Sequence, residues 1–402
     1  MKRVLIFSLN YYPNFIGGAE VAIKEITDRI SPQEIEFHMV TLRFDSMLPK
    51  IEKIGNITIH RIGPTRPHPS MSDLKKFPLH LNKHLYQLLA VGKAINLHWR
   101  YRYDGIWAMM AHSCAIPAGI VKRLFPRVRY LLTLQEGDPP EHIEKLARPV
   151  WPLFVNGFKR ADALQPISTF LLAWGRRMGF HGESRVIPNA VDTARFSKKY
   201  SAEEIAVMQN RSGRNEGEIY LITTSRLVRK NAVDDVIKAL ELLPPHIHFL
   251  IYGIGPDEEK LLKLAKERGV EERVHFEGQI GHEEMPLALA ACDIFIRPSR
   301  SEGMGNSFVE AMAAGLPVIA TQEGGIADFL FDAKRNPDRP TTGWAVDKDS
   351  PEQIAAAVID ILEHPEQVVR VIDTARKLAH EKYDWVLVAT EMKALFDKML
   401  KS

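Results

Sequence analysis

The chain has 402 residues, a formal net charge of +3, 45% hydrophobic and 26% charged residues. At roughly 100–200 residues per domain that is room for two or three domains. The near balance of charge argues against a whole-chain polyanion binder. Two cysteines, Cys114 and Cys292, exclude a disulfide scaffold and a Cys-rich zinc site. No apolar run approaches the ~20 residues of a membrane-spanning helix.

In chain order, MKRVLIFSLNYYP opens with a basic pair, but its apolar core is short and no small-residue cleavage site follows. It reads as a first strand, Val4–Leu9, and the chain is expected to be cytoplasmic. Gly17-Gly18 and an amphipathic stretch, Glu20–Ile30, come next. Phe37–Leu42, Ile57–Ile62, Ile106–Met110 and Tyr130–Leu134 read as further strands. After a polar, Gly-containing stretch between Ile187 and Glu218, the pattern resumes with Ile219–Thr224, His248–Tyr252, Val274–Phe276, Asp293–Arg297 and Val318–Ala320. Several runs are almost continuously apolar, as strands buried on both faces are. Alternation of such strands with helical patterns predicts doubly wound parallel sheets. The fold expected is α/β, with two Rossmann-like domains facing a cleft: residues 1–187, a linker at 188–217, and 218–383. Ligands of such sheets bind beyond the carboxyl ends of the strands, so the informative loops follow Leu9, Met110, Leu134, Thr224, Tyr252, Phe276 and Arg297.

The richest of these loops lies in RPSRSEGMGNSFVEAMAAGLPVIA, from Arg297 to Ala320. A strand ends, a glycine-bearing loop follows, and a helix opens near Asn306 or Ser307. Gly303 and Gly305 allow close backbone approach, and a helix start accepts anions. Glu302 lies in the loop and Glu310 in the first helical turn. Ser307-x-x-Glu310 also fits a capping box, and on local grounds alone that is the stronger reading of Glu310. The second loop, SRLVRKNAVDDVI, clusters Arg226, Arg229 and Lys230 where an anionic ligand of an open sheet would lie. Gly253-Ile254-Gly255 has Glu258 at the third glycine place of a dinucleotide fingerprint, which opposes that reading. Asp347-Lys-Asp349 fits an Asp-x-Asp metal pattern, but Pro351-Glu352 behind it points to a helix start capped by Asp349 or Ser350. His246-x-His248 has no third ligand nearby. No metal site is expected.

Taken together, these segments resemble the retaining glycosyltransferases of family 4 (glycosyl transferases group 1, GT-B fold). The resemblance covers nearly the whole chain and is strongest at SEGMGNSFVEAMAAGLPVIAT, with support from GGAEVAIKEI, IPNAVDTARF, SRLVRKNAVDDVIKAL, FEGQIGHEEMPLALAACDIFIRPS and YDWVLVATEM. It implies a UDP- or GDP-sugar co-substrate, no other cofactor and no metal. It implies that Arg226 and Lys230 neutralise the donor diphosphate, that Glu310 holds ribose hydroxyls, and that Glu302 contacts the transferred sugar. Backbone N–H groups of Gly303, Met304, Gly305, Asn306 and Ser307 would meet the distal phosphate and sugar, Gln279 and Ile280 would flank the base, and Gly17 would approach from the first domain. A last helix, about 384–402, would cross back onto that domain.

Two places depart from the family pattern. Many relatives carry a His after the strand ending at Leu134, where this chain has Gln135-Glu136-Gly137-Asp138. Gln135 can hydrogen-bond a hydroxyl but cannot shuttle a proton. Gln135, Glu136, Asp138 and, one strand earlier, His112 are the acceptor-side candidates. Lys230 also stands four residues after Arg226 rather than five, with Asn231 at the usual Lys place.

From Arg61 to Tyr103 the chain has eight Lys and Arg (61, 66, 75, 76, 83, 93, 100, 102) against one acid, Asp73, with aromatics interleaved. That is the composition of a surface for anionic lipid headgroups or an acidic acceptor, and equally of a solvated helix face over buried aromatics. A nucleic-acid partner is not expected. The function expected is transfer of a hexose to a glycan, lipid-linked or small-molecule acceptor, at the inner face of the membrane if the basic stretch docks there. A catalytically silent sugar-nucleotide-binding protein and a GT-B sugar-nucleotide epimerase are the alternatives.

Overall fold

The computed structural model describes residues 1–14, 17–70 and 73–401. The chain forms two compact units, Met1–Asn189 with the C-terminal stretch from Trp385, and Ala190–Asp384.

The first unit holds an eight-stranded sheet of β1 (Lys2–Phe7), β2 (Ile35–Leu42), β3 (Ile51–Ile54), β4 (Ile57–Ile62), β5 (Gly105–Met109), β6 (Arg129–Leu134), β7 (Ala163–Pro166) and β8 (Glu183–Ser184). Their spatial order is β3-β4-β2-β1-β5-β6-β7-β8. Val4, Leu5, Ile6 and Phe7 are all buried, which is why β1 reads as a continuous apolar run rather than an alternating one. All pairs are parallel except β3 with β4. The first strand of that hairpin, β3, is absent from the expected strands; the hairpin turns through Gly55-Asn56 with Gly55 at φ 55°, a two-residue signal of the kind hairpins use. Within the sheet, Trp107 Nε1 donates to Thr133 Oγ1 (2.8 Å) and Thr133 to Gln165 Oε1 (2.7 Å), so three strands are stitched by a buried polar chain. The C-terminal helix Trp385–Lys401 lays Phe396 against Trp107, 5.2 Å between ring centroids, and against Phe37, 5.9 Å. Ser402, within the helix expected at 384–402, lies outside the described residues.

The second unit holds β9 (Ile219–Thr224), β10 (Ile247–Tyr252), β11 (Val274–Gly278), β12 (Ile294–Arg297), β13 (Val318–Ala320) and β14 (Trp344–Ala345). They run in the order β11-β10-β9-β12-β13-β14, every pair parallel. The helix Val233–Leu240 buries Val233, Val236, Ile237 and Leu240, one face at helical spacing. Ile354, Val358 and Ile361 of the helix Pro351–Glu363 belong to the same core. Each such side chain contributes about 1.5–3 kcal/mol on burial.

From Ala190 onwards the stretch expected as a linker is instead part of this unit. It contains the helices Thr193–Phe196 and Ala202–Arg211, and Val191 bridges to Asp384. The second helix starts on a capping box, with Ser201 Oγ accepting from Glu204 N and the Glu204 carboxylate accepting from Ser201 N. Chain order reverses between β1 and β5 in the first sheet and between β9 and β12 in the second. Crevices of open α/β sheets form at the carboxyl side of such reversals. Among the described residues no helix is long and apolar enough to cross a membrane.

Candidate active site

In the second unit the reversal places the loop after β9, with Arg226 and Lys230, beside the loop after β12, with Glu302. The centre of this arrangement is Arg297, the last residue of β12, which is not among the residues expected at the site. Its side chain is 8% exposed. Nη2 donates to Glu302 Oε2 (2.9 Å), Nη1 to Ser307 Oγ (2.8 Å) and Nε to Ser299 Oγ (3.2 Å). The ring of Phe308 lies under the guanidinium at 4.2 Å. Burial pulls the Arg297 pKa below its usual value; Glu302 and Glu310 oppose that effect and Arg226 adds to it. Glu302, Glu310 and Arg226 therefore all lie within electrostatic reach of one buried cation.

The helix Asn306–Ala314 begins at Gly305, φ 84°, with no side-chain cap. A Cβ at Gly305 would stand 2.6 Å from Arg297 Nη2 and 2.5 Å from the Phe308 ring, so both backbone angle and space demand glycine here. The capping box Ser307-x-x-Glu310 is not formed. Ser307 is the second helical residue and its hydroxyl serves Arg297 instead. Glu310 stands one turn in, half-buried, where burial pushes its carboxyl up to about 7 against the pull of Arg297. Gly303 is buried and Met304 is 2% exposed, so the Met304 side chain is core and only its backbone can meet a ligand. Asn306 is half-buried at the helix start.

Arg226 is exposed just beyond β9. Lys230, half-buried, sits in the turn Arg229–Asn231. Asn231, at the family's usual Lys place, turns inward and donates from Nδ2 to the Arg226 carbonyl at 2.7 Å. The hydroxyls of Thr223, Thr224 and Ser225 and the side-chain oxygen of Asn231 are buried with no hydrogen-bond partner among the described residues; buried polar groups left so are uncommon, and these four lie at the end of β9 and in the loop after it. Gln279 is exposed and Ile280 half-buried after β11, two strands from β9. At about 4.8 Å between neighbours that is roughly 10 Å across the sheet.

The glycines after β10 serve packing. A Cβ on Gly253 would fall 1.7 Å from the Ser225 carbonyl oxygen, so this loop lies against the Arg226 loop and leaves no phosphate cradle. Asp349 pairs with Arg300 and does not cap; Ser350 is the helix N-cap without a side-chain bond. His248 is hydrogen-bonded to His275 at 3.0 Å and stacked on Tyr220.

In the first unit, Gly17 is the N-cap of the helix Gly18–Asp28, and its N–H already donates to Glu20 Oε2 at 3.0 Å. A ligand would have to compete for it. Met110, a non-glycine at φ 68°, opens the helix Ala111–Leu124 after β5, a backbone strain typical of functional sites. His112 N donates to Glu136 Oε1 at 3.3 Å, and its exposed ring places Nδ1 3.7 Å from the same oxygen. Glu136 is 2% exposed and its Oε2 has no hydrogen-bond partner among the described residues. Gln135, expected to offer its amide to a hydroxyl, is 8% exposed and accepts from Asn189 Nδ2 at 3.2 Å. Asp138 is exposed on the following loop.

With this geometry in view, the match to known families is decisive. Residues 16–195 match the model of Glycosyltransferase Family 4, and residues 204–378 that of Glycosyl transferases group 1. The chain belongs to glycosyltransferase family 4.

Among its relatives is the GDP-mannose-dependent alpha-(1-6)-phosphatidylinositol monomannoside mannosyltransferase of Mycolicibacterium smegmatis, 33% identical over 209 residues. That match covers 50% of this chain and 52% of the relative, so the chain spans about half the length of the curated mannosyltransferases it matches. The N-acetyl-alpha-D-glucosaminyl L-malate synthase of Bacillus anthracis is 22% identical over 99% of this chain and 98% of its own. Anabaena HepE, solved in complex with UDP-glucose, superposes with a TM-score of 0.78 at 20% identity, over 99% of this chain and 100% of that one. The fold is thus GT-B, as the resemblance implied.

In this family-4 chain, then, the acids and the exposed cation are legible in the sequence, and the groups that hold them are not. Arg297 carries one signal: a cation at the last position of an otherwise apolar strand, at the end where ligands bind. Asn189, inside IPNAVDTARF, carries none beyond that motif.

Proposed function

We propose that the chain is a retaining, metal-independent hexosyltransferase that moves a hexose from a UDP- or GDP-sugar to a glycan, lipid-linked or small-molecule acceptor in cell-surface glycan or glycolipid synthesis. The observation that carries this reading is the buried Arg297 that fixes Glu302 and Ser307 beside an uncapped helix start and the Arg226 loop. Arg226 and Lys230 hold the donor diphosphate, the backbone N–H groups from Gly303 to Ser307 meet the distal phosphate and sugar, and Glu310 takes the ribose hydroxyls. Gln279 and Ile280 flank the base, and Gly17 contributes from the first unit. Breaking the sugar–phosphate bond builds negative charge on the leaving oxygen. Preorganised donors aimed at such charge are each worth about 3–4 kcal/mol, and cations here take the place a metal has elsewhere.

Glu302, ion-paired to Arg297, suits a fixed acceptor for hydroxyls of the transferred sugar better than a displacing nucleophile. That favours front-face attack, in which the departing phosphate takes the acceptor's proton, over the paired-carboxylate route of retaining glycosidases. His112, Gln135, Glu136 and Asp138 serve the acceptor; Gln135 acts with Asn189 as support. The Mycolicibacterium relative's name specifies GDP-mannose and an inositol lipid, and the Anabaena complex holds UDP-glucose; both support a nucleotide-sugar donor, and the first a lipid acceptor.

A peripheral contact with anionic membrane at the cytoplasmic face is part of this reading. Lys75, Lys76, Lys83 and Arg100 are exposed, as are Phe77, Leu88 and Trp99. Arg61 is excluded from that surface: it is buried, donating to the Tyr12 and Pro49 carbonyls. The experiment is nucleotide release from a panel of UDP- and GDP-sugars with and without acceptors, alongside flotation with anionic vesicles at low and high salt. Tight binding without turnover for every pair tried would overturn the transferase in favour of a silent binding protein, and acceptor-independent isomerisation of the donor would indicate an epimerase.

A further inference from the structure

Arg300 lies on the loop between Arg297 and Glu302, 16% exposed at the side chain. A guanidinium has five N–H donors, and all five are engaged. Nε donates to Asp349 Oδ1 (2.6 Å); Nη1 donates to the Arg229 carbonyl (2.7 Å) and Asp234 Oδ1 (2.8 Å); Nη2 donates to Asp234 Oδ2 (2.9 Å) and Asp235 Oδ2 (2.7 Å). The Arg300 backbone N–H donates to the Lys230 carbonyl at 2.7 Å. This cation therefore has no donor left for a phosphate.

Arg300 instead ties three loops together, those after β9, β12 and β14. It stands on the β12 loop itself, and the other two each bring groups to it. The β9 loop offers two successive carbonyls, Arg229 and Lys230, and then Asp234 and Asp235 from the helix that follows. The β14 loop offers Asp349, a non-glycine held at φ 56°, a conformation that persists only where the surroundings enforce it. The β9 loop is the one whose spacing departs from the family, with Lys230 a residue early and Asn231 turned inward onto the Arg226 carbonyl. It is pinned at two points: Asn231 grips one end of the turn and Arg300 the other.

The charge arrangement adds a second role. Asp234 and Asp235 stand on the helix directly after Lys230, and besides Arg300 they meet Lys238, at 3.1 and 2.9 Å. Without Arg300 one ammonium would face two carboxylates. Those carboxylates would draw Arg229 and Lys230 towards themselves and repel a diphosphate.

We propose that Arg300 is a positioning residue for the donor: it sets where the loop of Arg226, Arg229 and Lys230 presents its positive charge, and it keeps Asp234 and Asp235 from competing with the diphosphate for those cations. This rests on the reading of the β9 loop as the diphosphate site. Lysine cannot replace it, since three donors on a point charge cannot bridge two carbonyl- and carboxylate-bearing loops at fixed angles.

The test titrates UDP and GDP into the full chain and its variants Arg300→Ala, Arg300→Lys, Asp349→Ala and Arg226→Ala, with thermal unfolding measured in parallel. For the nucleotide that binds the unsubstituted chain, Arg300→Ala is expected to weaken Kd about 10–100-fold, the range usual for outer partners that orient charged groups. Arg300→Lys restores only part of that loss. Asp349→Ala, at the exposed end of the network, weakens Kd a few-fold with little change in Tm. Donor KM rises more than kcat falls. If Arg226→Ala abolishes nucleotide binding while the folded Arg300 variants bind as tightly as the unsubstituted chain, Arg300 is a structural brace and the proposal fails alone. Should Arg300→Ala not fold, undiminished affinity in both Arg300→Lys and Asp349→Ala overturns the proposal in the same way. Undiminished affinity in Arg226→Ala overturns the diphosphate reading, and this proposal with it.

Discussion

The two sheets share a plan and differ in how their carboxyl ends are furnished. At the β9–β12 reversal the least exposed charges have fixed counterparts: Arg297 with Glu302, Arg300 with Asp234, Asp235 and Asp349. At the β5–β6 end, Glu136 is buried with one oxygen unpartnered among the described residues, His112 is exposed, and Met110 holds a strained backbone angle. A preorganised set of charges suits a ligand that is itself the same strong anion in each turnover, because no reorganisation is needed when charge develops. A looser rim with one unsatisfied acceptor suits a neutral hydroxyl ligand that completes its hydrogen bonds on arrival. The contrast favours the diphosphate at the second unit and the acceptor at the first on physical grounds.

The sharpest way to break this contrast is Arg297→Ala. Removing one partner of a buried ion pair leaves Glu302 uncompensated, and a loss of about 3–5 kcal/mol is expected in chemical denaturation of the second unit. A loss under about 1 kcal/mol, the size of an exposed pair, would mean that the pair is not buried as described. Glu302→Gln comes next: turnover is expected to fall about 10²-fold, as when one preorganised polar group is lost from a charged transition state, while donor Kd changes less. Equal loss in both, or none, would remove Glu302 from the reacting centre.

A smaller effect concerns pH. In the proposed donor site, ribose hydroxyls would donate to an ionised Glu310, whose carboxyl burial pushes up to about 7. Nucleotide affinity should then rise as pH climbs through 7 and drop at most about tenfold per unit below it. Glu310→Gln should flatten the profile, and a profile unchanged by that substitution would contradict the ribose role. The same shift acts on stability with opposite sense. The folded state keeps a proton that the unfolded chain releases from its usual 4.5, so this contribution is full below that value and is lost as pH rises towards 7. The smallest effect is expected in the first unit. Glu136→Gln removes a buried carboxylate that, among the described residues, meets no Lys or Arg and only the exposed His112 ring, and stability should change by about 1 kcal/mol or less, in the stabilising direction. Marked destabilisation by thermal unfolding would show that the two rims are built alike.

Much of the architecture is legible because its evidence is local. Long apolar runs such as Ile219–Thr224 and Val4–Phe7 declare strands buried on both faces. The short or polar strands escape: β7 is ALQP, whose Gln165 is polar because it completes the Trp107–Thr133 chain, and β14 has two residues. The segment 188–217 lacks strand signals and so resembles a connection, yet its helices fold into the second unit.

The candidate site divides along the same line. Glu302, Glu310, Arg226 and Lys230 stand out by type, spacing and place in the chain. What holds them does not: Ser307 looks like a cap and is a partner of Arg297, Asn231 looks like a missing lysine and holds the Arg226 carbonyl, and Arg300 looks like one more loop cation. Hydrophobic periodicity and strand order depend on neighbours along the chain, so they survive in the bare sequence. Ion pairing, carbonyl grip and desolvation depend on neighbours met in space. For Arg300 these come from 49 to 71 residues away, and they exist only once the sheet has set its strands side by side.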